Sequence, residues 1–411
     1  MAGGKIVILG LGKQGKGALH DLVTNSPTSR IVVADNNPES LSYIKQYPSD
    51  RVTGQTFNAN SESGTGSVMR DADVVVDALP GYLSFTVGKV AAEVGINLVS
   101  SMYYLDPREQ DEGKIQANLD KINRIDRQAK AKGITILNEF GLDPGIDLVL
   151  GAQAVKELDE IHEFYSYAAG LPAHDAANNP LKYKFSWSVI GVMRSYQRPA
   201  NIISDGKAVQ IDARELFAAE NMHILNIKEL SPHLECFPNG NSVRYAEMLG
   251  IRGSVNEMAR YTCRWEGHCA FWNIMVKCGF LEENLIQLDE NAVSPIRLTA
   301  AVLGSQSQFQ YSNREQDLTL IRVVAKGVKG DDKKQVVYQM IDYRDLHTGF
   351  TSVQRGVGFT LGLGARLILD GKLTTPGIIS PIDVPFDLVR KELDKHGINI
   401  KREETPGDTG N

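Results

Sequence analysis

Gly10-Leu11-Gly12-Lys13-Gln14-Gly15 is the first stretch whose spacing implies chemistry. A glycine at 10 permits a tight turn, one at 12 lets the backbone approach a pyrophosphate, and one at 15 lets a following helix pack against the preceding strand. The phosphates would rest on unpaired N–H groups at the positive end of that helix. Asp35 completes the pattern. Its carboxylate can accept hydrogen bonds from an adenosine ribose 2′-OH and would repel a 2′-phosphate. Asn36 and Asn37, which follow it, offer no cation. The expected ligand is NAD in preference to NADP. Its expected contacts are Gly10, Leu11, Gly12, Lys13, Gln14, Gly15, Asp35 and Asn36.

Further candidates lie in the middle of the chain. Asp143 precedes Pro144, which pushes it towards an extended backbone. Pro144 suits the first turn of a helix and Asp143 suits its cap. Asp143 is thus expected either as a helix cap or as a carboxylate facing substrate just past a strand end. Lys184 is a candidate for proton transfer, weighed against a solvated loop charge. His174 and His268 are expected in surface or packing roles, and Trp187 and Trp265 in interdomain or core packing. Cys236, Cys263, Cys269 and Cys278 contain no C-x-x-C pair. No metal site is expected, and the four thiols are expected to be reduced.

These residues need a frame. Lys5-Ile6-Val7-Ile8-Leu9 is an uninterrupted apolar run, as a buried parallel strand should be. It enters the glycine turn directly, a helix follows over 16–24, and the strand Arg30 to Ala34 ends at Asp35. The run Asp73 to Leu79 stops at Pro80, so a loop with Leu79 and Pro80 should lie beside the cofactor. The strands 97–100 and 134–137, with helices over 85–94 and 115–131, extend a doubly wound parallel sheet whose ligand edge is at the strand carboxyl ends. Beyond residue 160 the pattern is strand-rich. Residues 162–168 alternate, 170–173 and 178–181 read as loops, and 318–325 and 335–343 form a hairpin around Lys329-Gly330-Asp331-Asp332. The fold class is α/β: an N-terminal Rossmann-type doubly wound parallel sheet with a second α+β substrate domain.

At about 150 residues per domain, 411 residues give two to three domains. The expected boundaries are 1–141 for the dinucleotide domain, 142–350 for the α+β substrate and dimerisation domain, and 351–400 for a helical segment returning to the first. A disordered tail is expected over 401–411. Lys+Arg 44 against Asp+Glu 50 leaves a net charge of −6, which gives no general attraction to nucleic acid or anionic lipid. Neither a signal peptide nor a membrane-spanning run is read, so a cytoplasmic location without nucleic-acid or membrane partners is expected.

The chain resembles the saccharopine dehydrogenase family, in particular its glutamate-forming saccharopine reductase branch. The resemblance rests on the Gly10/Gly12/Gly15 fingerprint and on Asn138-Glu139-Phe140-Gly141-Leu142-Asp143-Pro144-Gly145-Ile146-Asp147. It rests also on Gly170-Leu171-Pro172, Asn178 to Trp187, Glu235 to Asn239, Tyr261 to Gly267 and Val353 to Gly371. It implies a nicotinamide-dependent reaction at a carbon–nitrogen bond of an amino-acid derivative. It implies nicotinamide and substrate contacts at Ser100, Ser101, Met102 and Tyr103, and contacts to both ligands at Leu142, Asp143 and Pro144. Ser186 is implied as a cofactor contact from the second domain, and Asn239, Gly240, Asn241 and Ser242 as a substrate loop. It also implies a homodimer. Three departures stand out: Met102 where the branch has Ser, Gly240-Asn241 where it has Arg-Asp, and Asp35 in a branch that usually takes NADP. The missing arginine removes a bidentate carboxylate contact.

The chemistry implied is loss of hydride from a secondary amine, hydration of the resulting imine, and collapse to an amine and an aldehyde. Asp143 is the first candidate for orienting the amine or moving a proton, with Tyr103 and Lys184 next. A lysine 6-dehydrogenase or other opine-type enzyme is the alternative within the class. A nonenzymatic NAD-binding sensor or scaffold is the alternative outside it.

Overall fold

The computed structural model describes residues 3–105, 109 and 111–407. It divides into two units. The first comprises Met1–Val149 with Val353–Lys395, and the second Leu150–Ser352 with His396–Asn411.

The first unit is a seven-stranded parallel sheet. Numbered along the chain, its strands are β1 (Lys5–Leu9), β2 (Arg30–Asp35), β3 (Val52–Thr56), β4 (Val74–Asp77), β5 (Asn97–Ser100), β6 (Thr135–Leu137) and, far downstream, β17 (Gly377–Ile379). They lie in the order β17-β6-β5-β4-β1-β2-β3. The strand order reverses at β1, which places a ligand crevice at the carboxyl ends there. Val7 and Leu9 are fully buried against Val75 and Leu98, and helix residues Leu83, Val87 and Ala91 cover them.

Segment 353–369 belongs to this unit and packs backbone to backbone. It runs as a π-helical turn, Arg355–Phe359, into the helix Thr360–Leu369. A Cβ on Gly358 would lie 2.8 Å from the carbonyl oxygen of Gln14 and from the Cα of Gly17. One on Gly17 would lie 2.7 Å from the Gln354 carbonyl. Both positions lack Cβ so that this segment can cross the Lys13–Asn25 helix. A buried ion network fixes the crossing. Arg366 reaches Asp21 at 3.2 Å and Glu392 at 2.6 Å, and Lys395 reaches Glu392 at 2.6 Å.

The second unit is built on a mixed sheet. Its strands are β7 (Glu160–Pro172), β8 (Ala200–Ser204), β9 (Lys207–Ile211), β10 (His223–Ile227), β11 (Leu230–Pro238), β12 (Glu257–Trp265), β15 (Asp317–Lys329), β16 (Asp332–Tyr343) and β18 (Ile400–Pro406). The main path is β10-β11-β12-β7-β15-β16-β18, with the β8–β9 hairpin beside β12. A separate hairpin holds β13 (Ile286–Leu288) and β14 (Asn291–Val293). The edges curl towards each other: Glu229, in the β10–β11 turn, accepts from Lys401 of β18 at 2.6 Å and from Gln339 of β16 at 3.4 Å. One face buries Tyr167, Leu171, Tyr261, Trp265 and Leu320. A second apolar cluster gathers Tyr183, Tyr196, Phe217, Phe237 and Trp272.

Several expectations are corrected. The tail read as disordered over 401–411 forms β18 through Pro406, while residues 408–411 lie outside the described residues. Long-range pairing that no local pattern announces holds it: Lys334 bonds Glu404 at 2.9 Å and Arg402 Nε bonds Glu157 at 2.9 Å. Residues 170–172, read as a loop, are the end of β7, which pairs with β15 up to Pro172. Cys236 and Cys263, expected as free thiols, face each other in register across β11 and β12 and are joined as a disulfide. Cys269 and Cys278 are free. Among the described residues no helix is long and apolar enough to cross a membrane.

Candidate functional site

The glycine turn closes on β1. Gly10 has φ +89°, a conformation that favours glycine, and its N–H bonds Ala34 O at 2.8 Å. A Cβ on Gly15 would lie 2.0 Å from Gly10 O, whereas one on Gly12 would meet nothing within 4 Å. Gly15 is thus needed for packing, and Gly12 leaves open the approach a ligand would use. The Lys13–Asn25 helix has no acidic residue in its first turn and no side-chain cap at Gly12. Its N-terminal amides suit an anion, so these residues fit a dinucleotide pyrophosphate. Asp35, half-buried at the end of β2, accepts from Leu11 N at 2.6 Å and Asn37 N at 2.8 Å. It thereby ties the glycine turn to the strand next door. Asn36 is exposed, and the Lys16 ammonium lies 4.6 Å from the Tyr43 ring centroid.

The carboxyl ends of β4, β5 and β6 bring the other first-unit candidates together. Asp77, the last residue of β4, is fully buried. Its Oδ2 accepts from Ser84 Oγ at 2.7 Å and Ser100 Oγ at 3.0 Å, and its Oδ1 accepts from Leu79 N at 3.1 Å. Ser100 Oγ in turn accepts from Met102 N at 3.2 Å, and Ser100 O accepts from Phe140 N at 2.9 Å. Burial pushes the Asp77 carboxyl up, and the donors at Ser84, Leu79 and Ser100 oppose it. Burial, then the Asp77 charge, pushes the Tyr104 phenol up as well. Ser101, Met102 and Tyr103 are half-buried, Leu79 is buried and Pro80 is exposed. Ser101 Oγ is buried with no hydrogen-bond partner among the described residues.

Asp143 is not the helix cap. The helix is Ile146–Lys156, and its first i→i+4 bond runs from Val149 N to Gly145 O at 3.1 Å. Residues 141–145 form a compact turn before it, in which Gly145 has φ +143° and Asp147 accepts from Gly145 N at 2.9 Å. The Asp143–Pro144 bond is cis. Pro144 precedes the first helical turn, since the helix begins at Ile146. Leu142 and Pro144 are buried and Asp143 is half-exposed. Glu139, two residues past β6, is buried with φ +58°, a strained setting for a non-glycine residue.

In the second unit Lys184 is buried and pairs with Glu315 at 2.6 Å, which corrects the solvated-charge reading. Burial acts to raise Glu315, but hydrogen bonds from Lys184 and Ser312 outweigh it and hold the carboxyl low. Ser186 is buried. In the implied substrate loop, Asn239 N bonds Arg260 O at 2.8 Å and Gly240 has φ +73°. Asn241 accepts from Arg244 N at 3.1 Å and caps the Ser242–Met248 helix. Ser242 Oγ is buried and accepts from Arg260 N at 3.0 Å. His268 is buried, its Nε2 3.0 Å from Tyr196 Oη, and burial pushes its pKa well down. His174 is exposed. Trp265 is buried, with Nε1 donating to Pro172 O at 2.9 Å, while Trp187 is 43% exposed and is not a core residue.

Sequence reasoning passed over Asp77, Glu139, Arg260 and Glu235. Glu235 accepts from Gly267 N at 2.9 Å and Cys269 N at 2.8 Å, at the start of the His268–Lys277 helix. Arg260 is buried, and its guanidinium lies 3.5 Å from where a Gly240 Cβ would be. The available signal was a charge inside an otherwise apolar strand run.

Comparison with known proteins gives two family matches. Residues 6–137 match the saccharopine dehydrogenase NADP binding domain and residues 141–398 the saccharopine dehydrogenase C-terminal domain. The chain is 24% identical to the saccharopine dehydrogenase [NADP(+), L-glutamate-forming] of Schizosaccharomyces pombe, covering 97% of this chain and 98% of that one. It is 26% identical to the alpha-aminoadipic semialdehyde synthase of Arabidopsis thaliana, over 80% of this chain but 36% of that protein. Against that enzyme and its rat and mouse counterparts the chain spans about a third to a half of the relative's length. The structure of an apo saccharopine dehydrogenase (L-Glu forming) from Saccharomyces cerevisiae superposes with a TM-score of 0.80 at 22% identity, covering 98% of this chain and all of that one. A homospermidine synthase from Legionella pneumophila shares the fold at a TM-score of 0.64 and 13% identity, over 99% and 94% of the two chains.

Proposed function

The chain belongs to the saccharopine dehydrogenase family, and from that membership we propose that it is a nicotinamide-dependent oxidoreductase acting on the C–N bond of an amino-acid derivative. In the favoured reading, saccharopine is split to an amino acid and an aldehyde, or formed by the reverse reduction, in lysine metabolism. The observation that carries this is the intact dinucleotide cradle, Gly10 to Gly15 with Asp35, inside a chain that matches the family over both halves. When bound, the nicotinamide supplies the hydride acceptor or donor.

The chain's own residues do the rest. The amides at the start of the Lys13–Asn25 helix take the pyrophosphate. Ser100 to Tyr103, with Leu142 and Pro144, shape the nicotinamide side. Asp143 orients the substrate amine or takes its proton, with Tyr103 and Lys184 as the next candidates. Lys184 is held in place by its 2.6 Å contact with Glu315. The family resemblance adds Ser186 as a cofactor contact and residues 239–242 as a substrate loop to the candidate residues.

For the cofactor we favour NAD, because the Asp35 carboxylate stands where a 2′-phosphate would need a cation. The family description and the named relatives carry NADP. A cytoplasmic location and a homodimer, both expected above, belong to this proposal. A related lysine 6-dehydrogenase is favoured instead by one observation, Gly240-Asn241 where the branch carries Arg-Asp.

The deciding experiment follows reduced-cofactor formation from saccharopine and from lysine, each with NAD and NADP. Turnover of saccharopine supports the first reading and turnover of lysine the second. Cofactor binding without turnover of any amino-acid derivative would leave the nonenzymatic sensor.

A further inference from the structure

We propose that Asp77 supplies a fixed negative charge that makes this nucleotide-binding unit favour the oxidised nicotinamide, a pyridinium cation, over the neutral reduced form. The inference rests on the dehydrogenase reading above and deepens it.

Asp77 is a buried carboxylate. It is 0% exposed, yet all its partners are neutral donors: two serine hydroxyls and one backbone amide. Among the described residues no Lys, Arg or His pairs with it. Buried carboxylates usually carry a counter-charge, because removing an ion from water is costly. Two other buried carboxylates of this unit do pair with a cation: Asp21 and Glu392 share Arg366.

The donor pattern favours the ionised form. Ser100 Oγ, which accepts from Met102 N, donates to Asp77 Oδ2, and the Ser84 hydroxyl donates to the same oxygen. The place is equally telling. Asp77 ends β4, next to β1 in the sheet, at the carboxyl edge where an open α/β sheet binds its ligand. The chain leads from it into Leu79 and Pro80. Its hydroxyl partner Ser100 opens the 100–103 stretch. The first stretch is expected beside the cofactor, and the second is the one proposed above to border the nicotinamide. A charge there, shielded from solvent, is poorly screened and acts on a neighbouring cation over a longer distance than it would in water. A cation arriving beside it supplies the missing counter-charge, and the reduced nicotinamide does not.

A structural role alone would tie Ser84, Leu79 and Ser100 together and serve both redox forms equally. The test separates the two roles by binding rather than turnover. Dissociation constants for NAD+ and NADH, and for NADP+ and NADPH, are measured by calorimetry on the unmodified protein and on Asp77→Asn, which keeps the shape and an acceptor oxygen. Asp77→Asn should weaken the oxidised form relative to the reduced form about tenfold, roughly 1.4 kcal/mol. Equal change in both constants overturns the inference while leaving the dehydrogenase reading intact. If the unmodified protein binds no form of either dinucleotide, the dehydrogenase reading falls and takes this inference with it. The unmodified protein also gives a check that needs no variant. Its oxidised form should bind at least as tightly as its reduced form, and a reduced form that binds tenfold tighter or more overturns the inference.

Discussion

Asp143 is the residue on which the proposed chemistry turns, and its release from helix capping sharpens the test. Because Gly145 O, not Asp143, starts the helix, Asp143→Asn removes a charge without removing a cap. It should leave dinucleotide affinity nearly intact and lower turnover by about 10²-fold or more, the low end of general acid–base effects. Near-normal steady-state turnover in the folded variant would transfer the role to Tyr103 or Lys184. At the adenosine end, Asp35→Ala combined with Asn36→Arg should move preference towards NADP(H). If the unmodified protein already prefers NADP(H) by about tenfold in paired binding titrations, the Asp35 reading fails. Residues of this kind differ in how legible they were. The glycine turn and Asp35 could be read because their spacing is local and repeats a physical requirement. Asp77 could not, since a carboxylate at the end of Val74-Val75-Val76 looks like a strand terminus until Ser84 and Ser100 are seen around it. Arg260 was hidden likewise, its contacts with 239–242 being long-range.

Elements are positioned here by what glycines leave out. Gly358→Ala would drive a Cβ into the backbone of Gln14, Gly17 and Ala18 at 2.8 to 2.9 Å. Backbone cannot swing aside as a side-chain tip can, so the variant should lose roughly 1–3 kcal/mol, read as a lower thermal midpoint. Gly66→Ala is the matched control. Its Cβ would rest 3.4 Å from Val90, an ordinary contact, inside the Glu62–Met69 helix, so it should be neutral or stabilise by about 0.5–1 kcal/mol. If both variants melt alike, close packing is not what the 358 position requires. The sequence showed that the 353–369 segment is rich in small residues, and that a parallel sheet follows from the apolar runs. It did not show the π-helical turn at Arg355–Phe359. Nor did it show β18: residues 401–406 are charged and lack apolar alternation, and their order comes from partners such as Glu157, roughly 245 positions away along the chain.

At the scale of the whole molecule, acid should be a weak point of the first unit. Burial tends to raise the Glu392 carboxyl, but hydrogen bonds from Lys395 and Arg366 outweigh it and hold it below its ordinary value. A depressed carboxyl contributes stability that is full above its unfolded pKa, about 4.3 for glutamate, and lost as pH falls through the lower folded value. Melting curves of the unmodified protein and Glu392→Gln should therefore converge as pH drops below about 4.3. A gap unchanged with pH would remove the ion network from the account. Domain limits drawn along the sequence follow composition and do not reveal that a downstream segment supplies a strand, as β17 and β18 do. The return of β17 sets the timetable of synthesis. β17 completes the edge of the first sheet beside β6, and Thr135 Oγ1 bonds Thr375 O at 2.8 Å across 240 residues of chain. A ribosome adding about 5–20 residues per second leaves the nascent β6 edge unpaired for roughly 10–50 s. Throughout that interval the dinucleotide half lacks both its last strand and the glycine-rich segment that covers its first helix, so an emerging chain offers chaperones an open sheet edge long before it can offer a cofactor a finished site.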